Sequence, residues 1–142
     1  MSARPPTIRR RNPRLQGEIG LGVAIGWFPA NGYSVSIPLC DNQPYDLVVE
    51  DVETGALLRV QVKTATSRAR TTGHFLVALR TCGGNRSARS VKEFDNTASD
   101  LLFVYTDARD VYVIPSAHVQ ARTMIALGPK WQPYKKASDW IV

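Results

Sequence analysis

Apolar residues first recur along the chain at Leu15, Ile19, Val23 and Trp27, a spacing of four that predicts an α-helix over Leu15 to Phe28, ended by Pro29-Ala30-Asn31-Gly32. Gly17, Gly20, Gly22 and Gly26 lower its helix propensity, so packing has to offset them. Glu18, Gly22 and Gly26 share one stripe where another backbone, or DNA, has room to approach; packing of the helix on a sheet accounts for such glycines as well. The pattern then changes to extended runs. Tyr33 to Leu39, Tyr45 to Glu53, Leu57 to Thr66 and Phe75 to Thr81 read as strands, separated by Gly, Pro, Asn and Asp. Leu101-Leu102-Phe103-Val104-Tyr105 is apolar throughout, as a strand buried on both faces requires. A turn over Asp107 to Asp110 joins it to Val111-Tyr112-Val113-Ile114-Pro115. Ser90 and Ser116 are placed to cap short helices, the first running through Thr97. Helix, strands, helix, strand pair and helical tail predict an α+β or mixed α/β sandwich.

The second and third strands form a hairpin around Glu53-Thr54-Gly55-Ala56. A turn centred on Thr54 and Gly55 sets Asp46 opposite Lys63 and Val48 opposite Gln61. Alternation then gathers Asp46, Gln61 and Lys63 on one face and Leu47, Val49, Val60 and Val62 on the other, so a slip of one residue would destroy both sets together.

A chain of 142 residues with 44% hydrophobic content makes one domain with a sizeable core, expected over residues 15–142 behind a flexible basic tail, residues 1–14. Cys40 and Cys82 form no CxxC or Cys/His cluster, which excludes a zinc motif or a disulfide framework and fits reduced thiols in a cytoplasmic protein. The first residues lack the apolar stretch of a signal peptide, and no apolar run reaches membrane-spanning length, so no membrane association is expected. The net charge of +6 is segregated. Residues 1–14 carry five Arg and no acid, residues 15–53 six acids and no base, and residues 54–92 eight bases and no acid. An acidic block able to hold a cation, followed by a basic block able to hold phosphates, suits a nucleic-acid enzyme better than a simple basic binder.

Phosphodiester hydrolysis needs in-line attack by an activated water and neutralisation of charge on the phosphate and leaving oxygen. Mg²⁺ serves both needs with one or two carboxylates, because it keeps several waters and takes substrate oxygens. Asp46 is the expected direct ligand, Glu18 binds directly or through water from the helix, and Gln61 and the backbone carbonyl of Val62 add oxygens. Lys63 is expected to position the attacking water or offset phosphate charge. Singly, each has an ordinary structural explanation: turn chemistry for Asp46, a solvated strand face for Gln61 and Lys63, the helix dipole for Glu18.

Gly17-Glu18, Tyr45-Asp46-Leu47-Val48-Val49, Val60-Gln61-Val62-Lys63-Thr64, Asp100 to Tyr105 and Val111 to Pro115 together resemble the PD-(D/E)xK nuclease superfamily, in the small branch that includes group I intron homing endonucleases. The resemblance implies a restriction-endonuclease-like core, a mixed four-stranded sheet flanked by helices, with an additional strand hairpin and helical tail. It also implies Glu18 as helix acid, Asp46 as central metal ligand, Gln61 where an acid is usual, Lys63 as the lysine, and DNA cleavage with Mg²⁺, for which Mn²⁺ substitutes. Pro44 stands one position early, before Tyr45, and Gln61 removes one negative charge, which lowers the expected metal affinity. Homing-type members that resemble this chain carry Gln there.

The expectation is therefore a Mg²⁺-dependent endonuclease of homing or mobile-element type acting on double-stranded DNA as a homo-oligomer, dimer or tetramer. Alternatives are a Holliday-junction resolvase or repair nuclease of the same fold, a non-catalytic DNA-binding protein retaining the fold, and an RNA-binding protein. The last calls for exposed aromatic residues on a sheet, which Phe75 and Phe103 do not clearly supply. Arg9, Arg10, Arg11, Arg68, Arg70, Arg80, Arg86 and Arg89 are the expected DNA contacts, with the loop from Thr81 to Arg89 reaching a groove. His74 and His118 are expected at the surface or as caps, and Trp131, Tyr134 and Trp140 to pack the tail on the sheet.

Overall fold

A computed structural model describes residues 12–40, 42–82 and 91–137. The helix α1 (Pro13–Ala30) starts on Asn12, whose side chain accepts the amide of Leu15 at 3.2 Å, with Pro13 in the first turn where no amide is needed. The helix therefore takes in Pro13 and Arg14, which the sequence assigns to the tail. It buries Gly20, Ala24, Trp27 and Phe28, and it is the one α-helix among the described residues. No helix there is long and apolar enough to cross a membrane.

Among the described residues eleven strands follow: β1 (Tyr33–Ser36), β2 (Leu47–Asp51), β3 (Leu57–Ala65), β4 (Ser67–Arg68), β5 (Phe75–Ala78), β6 (Thr81–Cys82), β7 (Val91–Lys92), β8 (Leu101–Thr106), β9 (Val111–Pro115), β10 (Met124–Ala126) and β11 (Lys135–Lys136). The main sheet is mixed and has six strands in the order β1-β2-β3-β8-β9-β11, rather than the four expected, because β1 and the two-residue β11 extend both edges. Its parallel pair is β3 with β8; the other pairs are antiparallel. Helix α1 covers one face, over Leu47, Val49, Val60, Phe103, Tyr105 and Val111. The other face is covered by a second sheet, β10-β5-β4, in place of a flanking helix; Phe75, Val77 and Ile125 pack there against Leu102, Val104, Tyr112 and Ile114. Strand β8 is thus buried on both faces, as its uninterrupted apolar sequence predicts.

Several elements depart from expectation for local reasons. β1 stops at Ser36, two residues before Pro38, which has no amide to give a ladder. The expected helix over Ser90 to Thr97 is absent from its described part: Val91 and Lys92 form β7, and the Asp95 carboxylate takes both the amide and hydroxyl of Thr97, at 2.9 and 2.6 Å, in a turn. A 3₁₀ turn does occur at Ser116–His118, but the Ser116 hydroxyl makes no cap and bonds Ser99 at 2.9 Å. Trp131 is buried in a second 3₁₀ segment, Pro129–Tyr134, with Tyr134 packed beside it; Trp140 lies outside the described residues. Cys40 is exposed and free.

Candidate active site

The hairpin of β2 and β3 keeps the predicted faces but not the predicted register. Asp51 accepts the amide of Gly55 at 2.7 Å and donates its own amide to Ala56 at 2.9 Å, while its carboxylate holds the amide of Glu53, also at 2.9 Å. Gly55 takes a positive φ of 74°, which closes the four-residue turn without steric cost. Leu47 consequently pairs with Val60 and Val48 with Arg59, two residues away from the predicted partners. The shift is even, so no side chain changes face. Across the ladder Asp46 meets Gln61, not Lys63, and Lys63 follows two residues on along the same face.

Asp46 marks where β2 and β3 separate. Its amide still donates to the carbonyl of Val60 at 2.8 Å. The next amide on that edge, Val62 N, goes to the Asp46 carboxylate at 2.7 Å instead of to a backbone carbonyl. The Gln61 amide donates to the same oxygen, Oδ2, at 3.3 Å. Both of these donors fall on Oδ2. In a strand the N–H and C=O of one residue point to the same side, so the Val62 carbonyl faces this edge as well. Burial raises the Asp46 pKa above the ordinary carboxylate value, against the Val62 hydrogen bond and the charge of Lys63, which both lower it. The Lys63 ammonium therefore acts on Asp46 electrostatically without sitting opposite it.

Glu18 is placed differently. It lies two residues from Gly20, hence about 200° around the helix from that one residue, and it is exposed. It stands three residues before Leu21 and seven before Ile25, both partly buried against the helix-side core, so it occupies the rim of that interface. Gly22, on the predicted stripe of close approach, has open space where a side chain would be, and Gly26 is exposed; the close approach is made at Gly20 instead. A Cβ there would run into the Thr64 hydroxyl, and that hydroxyl donates to the Gln16 carbonyl at 3.2 Å.

Among the described residues no three His, Cys, Asp or Glu side chains gather as a metal-binding group. A divalent ion at Asp46 would be held by its carboxylate, the Val62 carbonyl, an oxygen of Gln61 and substrate oxygens. That donor set is all oxygen and leaves room for water, which fits Mg²⁺ or Mn²⁺. A cleft of about 480 Å³ lined by Glu93, Asp95, Gln120 and Arg122 includes none of these residues.

The candidate DNA contacts divide. Arg68, Arg70 and Arg80 are exposed. Arg68 lies 3.9 Å over the Phe75 ring and donates to the Gly73 carbonyl, which covers the edge of the core. Arg9, Arg10, Arg11, Arg86 and Arg89 are outside the described residues. His74 packs near Gly128, and exposed His118 bonds the Tyr134 hydroxyl at 2.6 Å. Sequence reasoning missed Thr64, whose only signal was its place directly after Gln61-Val62-Lys63.

One solved structure, titled as that of the bacterial homing endonuclease I-Ssp6803I, is similar to the chain with 29% sequence identity and a TM-score of 0.71, covering 87% of this chain and 88% of that one. No curated protein sequence matches it significantly. The sequence fits the PD-(D/E)XK endonuclease family over residues 11–139, nearly its whole length and including every element around Asp46, and the chain belongs to that family.

Proposed function

We propose that the protein is a Mg²⁺-dependent DNA endonuclease of homing or mobile-element type, with Asp46 at the centre of its active site. The observation that carries this reading is the split between β2 and β3. A partly buried carboxylate is oriented there by Val62 N–H and the Gln61 amide, with the Val62 carbonyl beside it and Lys63 within electrostatic reach. Membership of an endonuclease family and similarity to a homing endonuclease support the substrate and the type.

When bound, the divalent ion supplies charge neutralisation at the scissile phosphate and acidifies water. The chain's own groups do the remainder. Val62 N–H and Gln61 Nε2 hold the Asp46 carboxylate in one orientation by its Oδ2. Gln61, whose Nε2 donates to Asp46 Oδ2 at 3.3 Å, would offer its amide oxygen as a further neutral ligand. Lys63 holds the attacking water or the phosphate oxygens by its ammonium. Glu18 joins from the rim of α1, through water.

The exposed Arg68, Arg70 and Arg80, the basic first residues and Arg86 and Arg89 supply phosphate contacts, and a homo-oligomer, dimer or tetramer, brings two sites to the two strands of a duplex. Both Phe75 and Phe103 are buried, which removes the sheet aromatics an RNA-binding reading needs. Incubation of the purified protein with supercoiled plasmid tests the proposal. Nicked or linear product with Mg²⁺ and none with a chelator is expected; intact plasmid with Mg²⁺ and with Mn²⁺ would reject it.

A further inference from the structure

Helix α1 meets the main sheet at a polar joint next to Lys63. The Thr64 hydroxyl donates to the Gln16 carbonyl at 3.2 Å, and the same hydroxyl fills the space that a Cβ at Gly20 would need. Gln16 and Gly20 are one helical turn apart, and Glu18 lies between them. Thr64 in turn is the residue after Lys63 on β3. The joint therefore fixes the turn that carries the helix acid to the part of the strand that carries the lysine. Further along, α1 packs by the apolar Ala24, Trp27 and Phe28, and apolar contacts fix position less specifically than a hydrogen bond with a steric stop.

We propose that Thr64 is a positioning residue for metal binding: with the small Gly20 against it, it sets how far the Glu18 carboxylate stands from Asp46. The inference rests on the reading of Asp46 and Glu18 as the groups that hold the ion. Glu18 is exposed at the rim of the interface, so its distance from Asp46 follows how closely the first turns of α1 sit on β3. Loss of the hydroxyl lets those turns lift, and the second carboxylate moves away from a site that already has Gln61 where a further acid would stand.

The test is Mn²⁺ binding by calorimetry on the full chain, in the absence of DNA, for the wild type, Thr64→Val, Thr64→Ser, Glu18→Gln and the Glu18→Gln/Thr64→Val double variant. Thr64→Val keeps the shape of the side chain and should weaken Mn²⁺ binding several-fold, as Glu18→Gln does. Thr64→Ser, which keeps the hydroxyl, should bind like the wild type. In the Glu18→Gln background, Thr64→Val should have no further effect, because the acid it positions is gone. The concentration of Mg²⁺ for half-maximal plasmid cleavage should rise for Thr64→Val while the rate at saturating metal stays near that of the wild type.

Wild-type affinity in Thr64→Val overturns the proposal and leaves the endonuclease reading standing. An equal loss with and without Glu18 also overturns it, since a structural defect alone would produce that. Wild-type protein that binds no Mn²⁺ at all rejects the metal site together with this inference. If Thr64→Val unfolds, the comparison of Thr64→Ser with Thr64→Ala, scored in the two Glu18 backgrounds, decides in its place.

Discussion

Gly20→Ala should destabilise the protein even though alanine is the better helix former. In a helix interior the exchange gains about 1 kcal/mol from propensity alone. Here the new methyl meets the Thr64 hydroxyl, so either α1 shifts or Thr64 rotates and releases the Gln16 carbonyl. Overpacking of this kind costs about 1–3 kcal/mol, and breaking the hydrogen bond costs about 1 kcal/mol more. The net expectation is a loss of about 1–3 kcal/mol. The sign should reverse once the hydroxyl is removed. The next atoms, Thr64 Cβ and Val62 Cγ1, lie at 3.5 and 3.8 Å from the built methyl, which is ordinary contact. In a Thr64→Ala background, Gly20→Ala should therefore recover the propensity gain of about 1 kcal/mol. The pair would show a coupling of about 2–4 kcal/mol in a double-mutant cycle. Urea unfolding without metal measures it, with the fluorescence of buried Trp27, on the same helix face, among the reporters. Gly20→Ala alone that matches or exceeds the wild type would refute the contact and the joint built on it.

Gln61→Glu places a carboxylate where an amide now donates to Asp46 at 3.3 Å; the metal-free protein should melt lower and Mn²⁺ should raise its melting temperature more than it raises that of the wild type. Equal shifts would mean that residue 61 does not face the ion. Asp100 has its pKa lowered by the hydrogen bonds from the Arg59 side chain and backbone, so its stabilising contribution is full above the ordinary carboxylate value and is lost as pH falls through the depressed one. Melting temperatures followed from pH about 5 down to about 2 should accordingly fall less steeply in Asp100→Asn than in the wild type. Deleting residues 1–11, which carry Arg4, Arg9, Arg10 and Arg11, should spare the fold and reduce the slope of log affinity against log salt on duplex DNA, by about 0.9 for each phosphate that is no longer neutralised. An unchanged slope would show that the segment does not touch DNA.

The grouping of Asp46, Gln61 and Lys63 was legible because strand alternation depends only on odd and even positions, and an error of two residues in register leaves it intact. The register itself was not legible. The sequence marks a turn at Glu53 to Ala56, but its centre is set by the side chain of Asp51, which binds the amide of Glu53 and draws the turn one residue toward the N-terminus. Strand β8 and helix α1 were readable from continuous and four-residue apolar patterns. The second sheet was only partly so: β10 is three residues long, and its pairing with β5 joins positions some 46 apart, such as Met124 and Ala78. The exposure of Glu18 follows from which glycine contacts the sheet, and four glycines in one helix gave no means of choosing Gly20.

The edge that carries Asp46 and Lys63 is where the proposed chemistry is decided. Wild type, Asp46→Asn and Lys63→Ala should be compared in single-turnover cleavage of duplex DNA with Mg²⁺, with DNA binding measured on the same preparations. Both variants should fold and bind DNA much as the wild type does while cleavage is abolished, together with metal binding in Asp46→Asn. Full-rate cleavage by either variant would contradict the assignment of that residue to the active site.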